Sequence, residues 1–408
     1  MEHKLSKRIK GSYVVARGIA TGLALLFALS YSKILGVENR SITTVIFTIS
    51  LICLTIFTSG IGLLFRSRAQ DPNQPIAFRP FVIVALFSAL LTALGVLALI
   101  YTYSLYIYNI PTTLIISSLI YSFFGVLDDL SHQSLIAYGK FKVAALLDVS
   151  TILVQILFFT IFLWLTDIST ASLLFSSLIF SYIYSTFFCY RTLQQFAVSN
   201  NDGNFLAIKE IVKGSKTFHL VGISSGLADR IDRLLIGLFM PLSFLGTYSI
   251  GTSLMTYLRF IPDAVGRLIV AKQSLGSLNN LRLKKFRNIN IIFLTLFLIA
   301  CGVFLSQTFV ILFLGRDWEI SRWIIAAFAV QEILRGLYLV LISKRVVSNN
   351  QDFIFKSSLI LIFGSVLGGY VGIKLFSGIG VPLGIALNYG LLIAYSRVAS
   401  LKKLNFRS

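Results

Sequence analysis

Twelve apolar stretches, each about as long as a bilayer-spanning helix, follow one another along the chain with only short polar connectors between them. A helix needs about 20 apolar residues to cross the hydrocarbon core, and in lipid a helix is the simplest way to pair every backbone N–H and C=O within one segment. The stretches run over 12–35, 41–65, 80–106, 111–138, 143–166, 169–190, 214–240, 245–271, 288–314, 320–343, 354–376 and 381–400. They predict an all-α polytopic membrane protein with about twelve transmembrane helices and little chain left for a soluble domain. With 56% hydrophobic and 13% charged residues and a mean hydropathy of +0.84, the composition excludes an ordinary soluble globular domain.

Lys and Arg set the expected orientation, because short cytoplasmic loops retain positive charge. With a cytoplasmic N terminus, twenty-five fall on the inner side, among them Lys4, Arg66, Lys140, Lys213, Lys285 and Lys403. Only Arg40, Arg316, Arg322 and Lys374 fall on the outer side, so both termini are expected in the cytoplasm. The net charge of +20 is then mainly a consequence of topology, and no nucleic-acid partner is inferred from it. The first apolar segment is too long for a signal-peptide core and contains Arg17, so it is read as a retained helix. Cys53, Cys189 and Cys301 lie singly in separate spans and read as packing residues. His3, His132 and His219 are equally scattered, and no metal site or cofactor is expected.

The long connector from about Thr192 to Gly214 contains the turn-forming run Asn200-Asn201-Asp202-Gly203-Asn204 and divides the spans six and six. Two lobes, 1–200 and 201–408, are expected around a central cavity. Six helices per lobe give both the same membrane orientation, which is compatible with a pseudo-twofold along the membrane normal.

Charges inside spans are expensive in lipid and are retained where they face a cavity or a partner. On the seventh span Asp229, Arg230, Asp232 and Arg233 are read on one helix, Asp229 sharing a face with Asp232 and Arg233, and Arg230 with Arg233. They form either a self-compensated ion-pair set or part of a ligand site. On the eighth, Arg259, Asp263 and Arg267 make a stripe around Pro262, the pattern of a kinked, cavity-lining helix. The tenth offers Glu332 and Arg335, three apart and able to pair, and the first offers Arg17 near its inner end. In the first half Asp128 and Asp129, with Asp148 on the next span, show no basic partner within their own spans. Such carboxylates are candidates for H+ or Na+ coupling, alongside Asp229; the alternative is that Asp129 and Asp148 reach water or Lys140 and Lys142. Arginine holds phosphate or pyrophosphate through a planar donor fork, so Arg17, Arg230, Arg233, Arg259 and Arg335 point to an anionic substrate.

The run Asp232-Arg233-Leu234-Leu235-Ile236-Gly237, followed by Leu245-Gly246-Thr247-Tyr248, resembles the seventh-to-eighth-span signature of the lipid-linked oligosaccharide flippases, the Wzx-type O-antigen translocases of the multidrug, oligosaccharidyl-lipid and polysaccharide exporter superfamily. Leu35-Gly36, Gly60-Ile61-Gly62 and Leu341-Ile342-Ser343-Lys344 are further points of similarity. The resemblance implies two six-helix lobes enclosing a cationic cavity, alternating access, and undecaprenyl-pyrophosphate-linked oligosaccharide as substrate. It also implies a bacterial inner membrane, a polysaccharide polymerase and chain-length regulator as partners, and a pyrophosphate or acidic-sugar contact at Arg233 above all. Ser41-Ile42 and Val270-Ala271-Lys272 depart from the family pattern. Three other readings are kept: a polyprenyl-phosphate sugar-phosphate transferase, whose Asp-Asp metal motif Asp128-Asp129 resembles, a polysaccharide polymerase, and a multidrug exporter of the same superfamily.

Overall fold

The computed structural model describes residues 2–68, 78–106, 110–165, 170–195, 204–256, 307–347 and 351–405, and every regular element among them is helical. In chain order these are α1 (Glu2–Arg68), α2 (Phe78–Tyr106), α3 (Thr112–Ala137), α4 (Phe141–Leu165), α5 (Thr170–Gln194), α6 (Asn204–Ala228), α7 (Ile231–Phe239) and α8 (Leu242–Thr256). After residues 307–314, also helical, come a 3-10 turn at Arg316–Trp318, α9 (Arg322–Val347) and α10 (Gln351–Asn405).

Among the described residues seven helices are long and apolar enough to cross a membrane, and two of these hold a break. α1 turns at Gly36, whose φ of 73° is a left-handed conformation that glycine adopts without a Cβ clash. α10 breaks at Phe376 and Ser377, between the eleventh and twelfth expected spans. The spans at 12–35 and 41–65, and at 354–376 and 381–400, are therefore each a pair joined by a turn of almost no length.

The contacts divide the chain into two compact units, Met1–Arg230 and Ile231–Ser408. Within the first, α1 packs against α2, α3, α4 and α6, and α3 and α4 pack against α5. α6 lies beyond the division expected near residue 200, yet it packs on α1. Small residues permit this: a Cβ on Gly222 would meet the Ser59 side chain at 1.9 Å, and one on Gly226 the Thr55 side chain at 2.1 Å. Ile61 and Leu64 of α1, Phe81 and Ala85 of α2, and Val126 and Leu130 of α3 form the apolar core at this end.

Within the second unit, α9 packs against α8 and α10, and α7 against α10. The two halves of α10 meet backbone to backbone through Gly368, Gly372, Gly380 and Gly384, and Asn388 pins them by donating to the Leu361 carbonyl (3.2 Å) and the Ser365 hydroxyl (3.1 Å).

The polar residues within the spans are largely satisfied locally. Thr48, Thr92 and Ser134 donate their hydroxyls to the carbonyl four residues earlier, at 2.7–2.8 Å, as a chain without bulk water requires. Large apolar side chains such as Phe87, Leu146, Leu157 and Leu387 are exposed on the outer faces, where lipid would cover them.

Candidate functional site

Each unit encloses a cluster of ionisable side chains. In the first, the α3–α4 hairpin creates it. α3 ends in a tight turn at Gly139 (φ 72°), with the Gly139 N–H donating to Ile136 O at 3.0 Å and the Lys140 N–H to Leu135 O at 2.9 Å. The chain reverses at once, so residues at similar distances from the turn face each other. His132 on α3 thereby meets Asp148 on α4, with Nε2 3.2 Å from Oδ1, and the same nitrogen lies 3.2 Å from the Ala144 carbonyl.

At the next residue of α3, the Gln133 amide donates to Asp129 Oδ2, one helical turn back, at 2.5 Å, and its side chain rests against Gly62 of α1. The Ser185 hydroxyl of α5 hydrogen-bonds the Asp128 carboxylate, whose Oδ1 is buried with no hydrogen-bond partner. The structure thus brings Asp128, Asp129 and Asp148 into one neighbourhood. It also supplies a basic group that the carboxylates were expected to lack within their own spans: His132 is on α3, four residues from Asp128 and three from Asp129. That spacing puts all three side chains on adjoining parts of one helix surface and was a usable signal in the sequence.

The expected single helix over 214–240 is corrected. α6 stops at Ala228 and α7 starts at Ile231, so Asp229 and Arg230 occupy a turn and share no helical face with Asp232 and Arg233. The charges themselves explain the break. Arg230 donates its backbone N–H to Leu227 O (2.9 Å) and its Nη1 to Gly226 O (2.9 Å), satisfying carbonyls left open at the end of α6. Asp232 falls in the first turn of α7, at the positive end of that helix.

In the second unit Asp232 is 2% exposed, and the Tyr248 hydroxyl of α8 lies 3.5 Å from its Oδ2. Arg233 and Glu332 are both within electrostatic range of Tyr248. On α9 the expected pairing is present: Arg335 donates Nη1 to Glu332 Oε1 at 3.0 Å, with the two residues 2% and 6% exposed. Arg335 is therefore held by an intrahelical partner, and Arg233 is the more accessible of the two arginines. The side chain of Arg17 and the whole of Arg259, Pro262, Asp263 and Arg267 lie outside the described residues.

Arg40 is a residue whose role the sequence did not reveal. Assigned by charge counting to an outer loop, it follows the Gly36 break within α1 and is 5% exposed. Its guanidinium hydrogen-bonds the Tyr31 hydroxyl and lies 4.8 Å from that ring's centroid. Among the described residues no three His, Cys, Asp or Glu side chains are arranged to hold a metal ion.

Solved structures with the same fold include the Vibrio cholerae MATE transporter VcmN, with a TM-score of 0.71 at 12% identity over 98% of each chain. The eukaryotic MATE transporter AtDTX14 aligns with a TM-score of 0.68 at 14% identity over 97% of this chain and 96% of its own. An outward-facing multidrug resistance MATE transporter of the MOP superfamily gives 0.65 at 14% identity over 97% of both. No curated protein gives a significant match. The family model for polysaccharide biosynthesis proteins matches residues 34–322, most of the chain, and the protein, with the MATE-type fold, therefore belongs to the polysaccharide biosynthesis protein family.

Proposed function

We propose that the protein is a flippase that moves undecaprenyl-pyrophosphate-linked oligosaccharide across the bacterial inner membrane by alternating access, coupled to H+ or Na+, for assembly of a surface polysaccharide such as O-antigen or capsule. The observation that carries this reading is the union of a polysaccharide biosynthesis family with a transporter fold in a chain whose described residues are nearly all helix, most of it long and apolar enough to cross a membrane. A membrane transporter in such a pathway has an evident cargo: a repeat unit built on a lipid carrier, whose headgroup must cross while its tail stays in the bilayer.

Arg233, half-buried in the first turn of α7, is the first candidate for the pyrophosphate, with Arg230 second. Arg17 and Arg259 keep the same proposed role from the sequence. Arg335 would reach a substrate only if its pairing with Glu332 opened. Asp128, Asp129 and Asp148 are the proposed coupling carboxylates, Asp229 being a weaker candidate in its turn. Both termini are proposed to be cytoplasmic from the Lys and Arg asymmetry; the highly exposed Trp164 and Trp323 lie near expected span ends, as interfacial anchors do at either surface.

The transferase reading draws less support. Asp129 is engaged by Gln133 and Asp128 by Ser185, and no third acidic ligand joins them in an arrangement fit for Mg2+ among the described residues. A multidrug exporter shares the fold, but a cavity for lipophilic cations is poorly served by buried arginines.

The test is the state of the lipid-linked repeat unit in cells lacking the protein, probed with a membrane-impermeant glycosidase on spheroplasts. Intact units shielded on the cytoplasmic side are expected. Absence of any lipid-linked unit would favour the transferase, and single units exposed outside would favour a polymerase.

A further inference from the structure

We infer that His132, Asp128 and Asp148 form a proton-binding site inside the first unit, and hence that the coupling ion is H+ and not Na+. The site rests on geometry alone, while its use in coupling rests on the transport reading above.

Hydrogen placement follows from the two neighbours of His132 Nε2. A backbone carbonyl accepts and never donates, so the contact with Ala144 O requires hydrogen on Nε2, and that hydrogen also faces Asp148 Oδ1. The ring is therefore held as the Nε2–H form, and Nδ1 is the position that gains or loses a proton. Asp148 already receives a donor from His132, and Asp129 receives one from Gln133. Asp128 keeps one buried oxygen that receives none.

This donor set suits a proton. A hard cation takes several converging oxygens, whereas here Asp148 and Asp129 each take an N–H donor on one oxygen, and no three acidic or imidazole ligands converge among the described residues. The bare Oδ1 of Asp128 needs only one proton to lose the charge that makes its burial costly. In the step, H+ leaves water, bonds to Asp128 or to His132 Nδ1, and later returns to water; no other bond changes.

The ionisable groups facing the site come from each packed element: Asp128, Asp129, His132 and Tyr121 of α3, Asp148 of α4, and Tyr182 and Cys189 of α5. Tyr31 of α1 and Arg230 stand near Tyr121, and α2 presents apolar residues to α3. Within that set His132 faces Asp148 directly and Asp128 through its charge, so its charge state governs how strongly α3 is tied to α4. It is a positioning residue as well as a proton site.

Proton uptake by the purified full-length protein in detergent, followed with an indicator dye across about pH 8 to 5 where histidine titrates, tests the assignment. Asp128→Asn and His132→Gln are each expected to remove about one proton from the uptake, and exchanging K+ for Na+ is expected to change nothing. Unchanged uptake in both variants, or an uptake that Na+ suppresses in the wild type but not in Asp128→Asn, overturns the proposal. Should either variant fail to fold, nitrogen-15 NMR of the histidine-labelled wild type replaces it, the chain having three histidines. One ring held as the neutral Nε2–H form that titrates without regard to Na+ is expected; a set of freely exchanging tautomers, or a Na+-dependent titration, refutes the site. Neither readout uses the oligosaccharide, so a failed proton site leaves transport standing with another ion, and a failed transport assay leaves the proton site measurable.

Discussion

Removing Glu332 should unfold the second unit more readily than it impairs any step of transport. Arg335 is 2% exposed and its guanidinium is 3.0 Å from Glu332 Oε1, so Glu332→Ala leaves a buried cation without its carboxylate. Breaking a buried pair from one side costs about 3–5 kcal/mol, because desolvation of the remaining charge is no longer offset. At about 1.4 kcal/mol per factor of ten, that raises the unfolded fraction by roughly two to three and a half orders of magnitude. Arg335→Ala should cost a comparable amount. The double variant Glu332→Leu/Arg335→Met replaces the pair by apolar groups and should return close to wild-type stability, since neither charge then remains buried. Reversible unfolding in bicelles, run as a double-mutant cycle closed with Glu332→Ala/Arg335→Ala, supplies the coupling energy, expected at about 1.5 kcal/mol or more. Additive effects, or a Glu332→Ala variant as stable as the wild type, would refute the reasoning. The apolar double variant also separates two roles for Arg335: if folded and active, the arginine is structural, and if folded but arrested, it contacts the cargo.

Other outcomes follow from local geometry. Gly372→Ala would place a Cβ 2.0 Å from the Gly380 carbonyl oxygen, and Gly380→Ala one 1.8 Å from that of Gly372, so each must push two backbones apart by more than an ångström. Each should lose about 3 kcal/mol in thermal unfolding in detergent, at the upper end of typical overpacking costs, whereas Gly390→Ala, with nothing within 4 Å of the new Cβ, should be neutral or stabilising. Ser377→Gly, at φ 56° and ψ −144°, should raise stability by about 1 kcal/mol by relieving a conformation that side chains disfavour. Arg233→Ala should reduce export of the repeat unit more than it reduces protein abundance, and Arg233→Lys should recover part of the loss, because an ammonium supplies charge without the bidentate fork.

Much of the fold could be read from sequence because its punctuation is local. Gly36 and Met240-Pro241 fall where spans were expected to end, and Gly60 and Gly62 prove to be close-packing points against His219 and Gln133. The break at Asp229 and Arg230 was hidden for a physical reason. Charges at three- and four-residue spacing fit a helix face, but the same side chains also satisfy the ends of two shorter helices, and only the backbone distinguishes these. The His132–Asp148 pair was hidden differently, since it depends on how two helices face each other across the Gly139 turn and no periodicity within either span encodes that contact. Arg40 shows what charge counting leaves out: a cation counted only for its expected outer side is also folded over Tyr31.

The most direct test of the flippase account is reconstitution of the purified protein into proteoliposomes containing undecaprenyl-pyrophosphate-linked oligosaccharide, followed by digestion with an impermeant glycosidase. The account predicts that units initially protected inside become cleavable when a proton gradient is imposed, and that empty liposomes and Arg233→Ala leave them protected. Protection unchanged by the active wild-type protein, across H+ and Na+ gradients of either direction, would contradict it.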